Sequence, residues 1–81
     1  MRDPSALASA LRRRVATNVK RLRLDAKLTQ QQAADAAGLD LRHFIKIEHA
    51  QANVTIATLV ELANAFGVDV PALLERRVRG R

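Results

Sequence analysis

Cysteine is absent from this sequence of 81 residues, which removes disulfide staples and thiolate metal sites, the two usual supports of a small secreted core. A reducing, cytoplasmic setting is the expectation that follows. Tryptophan and tyrosine are absent as well, leaving Phe44 and Phe66 as the aromatic side chains, so there is no platform on which the splayed bases of a single strand could stack. No apolar run nears the roughly 18 to 20 residues that span a bilayer. The opening MRDPSALASALRRR places its arginines after a short apolar segment, the reverse of a secretory leader. Glycine-rich phosphate loops are missing, and Asp35, Asp40 and Asp69 read as surface or cap residues with no nucleophile or base converging on them. His43 and His49 stand six apart, which is not a ligand spacing for one helix face. Neither catalysis nor a metal nor a cofactor is expected.

What the chain has in excess is positive charge. A net +6 and a pI near 11.4 point to a polyanion, with duplex nucleic acid the leading candidate. The charge is uneven: residues 1–27 hold eight Lys/Arg and two Asp/Glu, residues 28–75 hold two and six, and residues 76–81 hold four and none. The middle of the chain is therefore acidic, and long-range attraction to DNA has to come from the arginines of the first helix and from Arg76, Arg77, Arg79 and Arg81. A chain of this length makes one small domain, which buries only about 60% of the surface its unfolded form exposes. Partners or self-association are expected for that reason.

Apolar residues at Leu7, Leu11, Val15, Val19, Leu22 and Ala26 recur in steps of three and four, the pattern of an amphipathic helix, with Asp3 and Pro4 as cap and first turn. A second helix, Gln30 to Ala37, is announced by LTQQQA: Thr29 caps, and Gln32 three residues on completes a capping box. Gly38 supplies a left-handed stop. Asp40 then caps a third helix from Leu41 to about His49, Thr55 a fourth running to Phe66 and stopped by Gly67, and Asp69 a short fifth containing Pro71, Leu73 and Leu74. No strand-like alternation of useful length is present. The expected organisation is one domain over 1–75, in which 4–15 extend the first helix, followed by a solvated basic tail over 76–81.

The stretch AADAAGLDLRHFIKIE, residues 33–48, joins two helices through a short glycine-containing turn, the sequence form of a helix-turn-helix. Ala34 is small where the helices cross, Gly38 accepts a backbone that a Cβ penalises by about 1–2 kcal/mol, and Phe44 and Ile47 form the inward pair of the third helix. With these residues in register, the chain resembles the Cro/C1-type (XRE-like) helix-turn-helix family over about residues 16–74, from VKRLR to TLVELANAFGVDVPALL. AGLD followed by a loop containing NVT is most similar to the stand-alone controller proteins of restriction-modification systems. The chain departs from the family at Ala50, where glycine is common, and at Leu41 and Ile45, where polar residues are. The resemblance implies an all-α, five-helix, lambda-repressor-like DNA-binding domain, a homodimer on an inverted-repeat operator, and a third helix lying in the major groove.

On a helix beginning at Leu41, residues 41, 42, 45, 46 and 49 face away from Phe44 and Ile47. Arg42 is then placed to make a bidentate contact to guanine, Lys46 to reach a base or phosphate, and Leu41 or Ile45 to touch a thymine methyl. The plainer alternatives are that Arg42 and Lys46 are solvated charges and that Leu41 and Ile45 mark a protein partner. Gln30 opens the second helix, where N–H groups and dipole favour a phosphate. The resemblance implies backbone contacts at Gln30 and in the loop bearing Gln51 and Asn53, while His43 and His49 are candidates for phosphate contact or plain surface. It also implies a buried ion pair between Arg23 and Glu48. Val68, Val70, Leu73 and Leu74 offer more apolar surface than a lone small domain needs to bury, which nominates them as a dimer patch. The competing function is an antitoxin-like or adaptor protein, for which a protein is the main partner and DNA secondary.

Overall fold

The computed structural model of the chain describes residues 3–76, and those residues form five helices and no strand: α1 (Pro4–Asp25), α2 (Gln30–Ala37), α3 (Leu41–Glu48), α4 (Ile56–Phe66) and α5 (Val70–Leu74). The helix starts follow from side-chain capping, which satisfies backbone N–H groups that have no acceptor within the helix. The Asp3 carboxylate accepts from the N–H of Ser5 at 3.0 Å. Thr29 and Gln32 make a reciprocal capping box, with Oγ1 accepting from the Gln32 N–H at 3.0 Å and Oε1 accepting from the Thr29 N–H at 2.9 Å. Asp40 accepts from the N–H groups of Arg42 and His43 at 3.1 and 3.3 Å, and Thr55 accepts from Thr58 at 3.1 Å. Asp69 precedes α5 but makes no side-chain cap bond, so the expected cap fails there and Pro71 is left to set the first turn.

The stops differ in chemistry. Gly38 and Gly67 end α2 and α4 at φ of 70° and 68°, the left-handed geometry that glycine adopts without penalty. The ends of α1 and α3 lead into the same geometry at residues that carry a Cβ, Lys27 and Ala50, both at φ 59°. α1 stops at Asp25, so Ala26 is its exposed C-cap rather than a further inward position.

Val19, Ala33, Ala34, Phe44, Leu62 and Leu73 are fully shielded from solvent and centre one apolar core, closed by Val15, Ala37, Ile47, Leu59 and Ala63. α1 packs on α3, α4 and α5, while α2 packs on α3 and α4. A polar contact ties α1 to the end of α5: the buried amide of Asn18 donates to the carbonyls of Leu73 and Glu75, both at 2.9 Å. That grip satisfies backbone acceptors at the end of α5, where Leu73 is turned inward. It also corrects one expectation. Leu73 cannot belong to a dimer patch, because it is wholly consumed by the core of its own subunit.

Candidate nucleic-acid interface

The turn between α2 and α3 is built by the left-handed Gly38, whose N–H bonds the Asp35 carbonyl at 3.1 Å, while the Leu39 N–H bonds that of Ala34 at 2.8 Å. Leu39 then packs against the core, so the three residues from 38 to 40 reverse the chain without stranding polar groups. α3 leaves this turn with Phe44 and Ile47 inward and its opposite side free. Arg42, Lys46 and His49 are exposed, and Leu41, His43 and Ile45 are half-buried. Leu41, Arg42, Ile45 and Lys46 line one shallow, open hollow together with Asp40 and Gln51, so all four candidate base-contacting residues lie on one surface. Leu41 also packs against the core, which leaves it less free surface than the helical wheel suggests. Neither Arg42 nor Lys46 has an acidic partner among the described residues.

The angle of α3 is held by a polar network at its C-terminal end. The Arg23 guanidinium donates from Nε to Glu48 Oε2 at 2.7 Å and from Nη2 to Oε1 at 3.3 Å, while Nη1 donates to the Leu28 carbonyl at 2.9 Å. The two side chains are 11% and 2% exposed. Gln30 joins them, its amide donating to Glu48 Oε1 at 3.0 Å. The network ties α1, the α1–α2 turn, the start of α2 and the end of α3 through one carboxylate whose lone pairs are used by charged or amide donors. The side-chain amide of Gln30 is thereby committed to Glu48, and what α2 presents outward at its first turn is its backbone N–H groups and dipole.

The remaining candidates separate. Gln51 borders the α3 hollow and a second one shared with Arg12, Ala50 and Asn53. Asn53 is exposed and accepts from Arg12 Nη1 at 2.8 Å. Val68, Val70 and Leu74 are half-buried, whereas Ile56 at 79% and Val60 at 51% are the exposed large apolar residues of α4, and Leu24 at 54% is that of the end of α1; Ile56 and Val60 share one face of α4. Apolar character alone does not divide α4 into faces: Leu59, Leu62 and Ala63 fill the core, and Ile56 and Val60 lie outside it. Asn18 was missed. Its signal was a lone uncharged polar residue on the apolar stripe of α1, between Val15 and Leu22.

Residues 19–73 match the helix-turn-helix family. The chain is 38% identical over 63 residues to control protein C.SmaI of Serratia marcescens, covering 78% of this chain and 75% of that protein. It is 36% identical over 58 residues to the HTH-type transcriptional regulator y4dJ of Sinorhizobium fredii, covering 72% and 75%. Among solved structures, a hypothetical transcription factor from Neisseria superposes with a TM-score of 0.78 at 28% identity, covering 80% of this chain and 75% of that one. The restriction-modification controller protein C.AhdI of Aeromonas hydrophila superposes at 0.73 with 26% identity, covering 76% and 94%. With the capped turn, the inward Phe44 and Ile47 and these likenesses in agreement, the chain belongs to the XRE-like helix-turn-helix family of DNA-binding transcriptional regulators.

Proposed function

We propose that this protein is a sequence-specific regulator that acts in the cytoplasm as a homodimer on an inverted-repeat operator, each subunit laying α3 in a major groove. The observation that carries this reading is the outer surface of α3, where Arg42 and Lys46 stand exposed, in no ion pair among the described residues, beside Ile45 in one hollow. Arg42 reads guanine through its two parallel donors, Lys46 a base or phosphate, and Ile45 with the free edge of Leu41 the methyl of thymine. The N-terminus of α2 at Gln30, with His43, His49, Gln51 and Asn53, flanks that surface as backbone contacts. Likeness to C.SmaI, a control protein, and to C.AhdI, a restriction-modification controller, supports a controller role of the same kind. No cofactor, metal or catalysis enters this function, and the recognition surface belongs to the domain over 1–75.

The competing role, a chain whose main partner is another protein, draws on the exposed Ile56 and Val60; in a homodimer a second copy covers them. Selection of bound sequences from a random duplex pool tests the reading. The expected result is an inverted repeat with half-sites about 10 bp, or roughly 34–36 Å, apart. Arg42→Ala is expected to cost about 1–3 kcal/mol on that site and less on random DNA. An asymmetric site bound by one subunit, or equal losses on both duplexes, contradicts it.

A further inference from the structure

The loop from α3 to α4, AQANVT over residues 50–55, carries no charged residue, yet the proposed function lays it along the DNA backbone. The charge at that place comes from elsewhere in the chain. α1 extends far enough N-terminal of Arg23 that Arg12, about 16 Å back along the helix axis, meets the loop and donates to Asn53 Oδ1 at 2.8 Å. A second donor of the same guanidinium is held by Ser9 Oγ at 3.0 Å. Both acceptors are neutral, and Arg12 has no acidic partner among the described residues. The side chain is half-buried, so its charge is oriented and only partly screened by water, and it remains uncompensated.

We propose that Arg12, with Asn53 and Gln51, forms a site for a DNA backbone phosphate, supplied by the N-terminal part of α1 to the α3–α4 loop. Arg12, Ala50, Gln51 and Asn53 line one open hollow that no carboxylate borders. Asn53 turns its carbonyl oxygen to Arg12, and among the described residues neither its Nδ2 donors nor the Gln51 side-chain amide has a hydrogen-bond partner. The guanidinium still has donors to spare after its two bonds. A set of unspent donors around one fixed positive charge, with no competing acceptor charge, is the chemistry that recognises a phosphodiester. Such a contact positions the subunit and carries no sequence information, which separates Arg12 from Arg42.

The proposal rests on the DNA-binding reading, and the test distinguishes the two. Full-length wild type, Arg12→Gln and Lys20→Gln are titrated against the selected duplex and a random one across a series of salt concentrations, with folding of each variant checked by circular dichroism. Lys20 is an exposed residue about two turns further along α1, and its substitution removes the same charge. Arg12→Gln is expected to weaken both duplexes by a similar factor and to lower the slope of log K against log salt by about 0.9 per subunit. Lys20→Gln is expected to change the slope by less than half as much. An unchanged slope for Arg12→Gln, or equal changes in the two variants, overturns the Arg12 site while DNA binding by the wild type stands. A wild type that binds no duplex overturns both readings. A measurement on the wild type avoids any folding defect: phenylglyoxal modification of arginines, read by mass spectrometry with and without DNA, is expected to show Arg12 shielded in the complex. Equal modification in both states overturns the site.

Discussion

Glu48 shows how much one side chain can determine. Its carboxylate accepts from Arg23 and Gln30 while its side chain is 2% exposed. Removing it leaves the guanidinium nearly buried with the Leu28 carbonyl as its remaining partner. Breaking one half of such a pair costs far more than the pair contributes, because the stranded charge stays desolvated. Glu48→Ala is therefore expected to lose about 3–5 kcal/mol of stability, read as a drop in the urea or thermal midpoint; a midpoint equal to that of the wild type contradicts it. The two charges were legible in the sequence because family register aligns them. The third member was not, since whether Gln30 turns its amide to Glu48 or to solvent is decided by rotamer and distance. Leu73 and Leu74 make the same point. Adjacent leucines in a helix of five residues give no phase, and which of them goes inward depends on packing against distant residues, among them α1, from which Asn18, 55 positions away, holds the Leu73 carbonyl.

Helix limits were the most legible part of the fold, because caps are local: Thr29 with Gln32, Asp40 and Thr55 fix their starts within three residues of chain, and Gly38 and Gly67 fix the stops. Surfaces were less legible, since they depend on which faces neighbours cover, and α4 turned out to expose Ile56 and Val60. The stops also yield a paired prediction. At Gly38 an added Cβ would meet nothing within 4 Å, so Gly38→Ala isolates the backbone cost of the left-handed region. That cost is about 1–2 kcal/mol, offset by the roughly 0.4–1 kcal/mol that alanine gains by restricting the unfolded chain. Ala50 is the mirror case, a Cβ held at φ 59° where the family commonly has glycine. Gly38→Ala should destabilise and Ala50→Gly stabilise, each by about 0.5–1 kcal/mol net. Urea midpoints that move in the same direction in both variants would refute the shared cause.

At the scale of the whole molecule, the proposed inverted-repeat operator requires a defined distance between two recognition helices, which a monomer cannot hold. The exposed face of α4, with Ile56 and Val60, is together with the half-buried Val68, Val70 and Leu74 the surface we assign to the second copy. Val60→Asp is expected to give a folded monomer by sedimentation, since a carboxylate at this half-exposed position reaches water in the free subunit and is desolvated in the pair; a dimer of unchanged affinity excludes this face. Charge is the other property of the whole. Residues 28–75 carry two basic and six acidic residues, so the recognition region repels DNA at long range, and attraction has to come from the flanks. Of the C-terminal group, Arg76 is exposed, and Arg77, Arg79 and Arg81 lie outside the described residues. Removing 76–81 takes away four arginines and no acid, which reduces the net charge from +6 to +2. Neutralisation of phosphates by such a segment is independent of sequence and releases counterions, so log K falls by about 0.9 per contact for each tenfold rise in salt. A dimer carries two copies, and the loss is doubled. The truncated chain should therefore bind selected and random duplexes more weakly by similar factors, with a flatter salt slope and the same preferred sequence. Titration of both forms against one labelled duplex over several salt concentrations measures this, and superimposable slopes would leave long-range attraction to the arginines of α1.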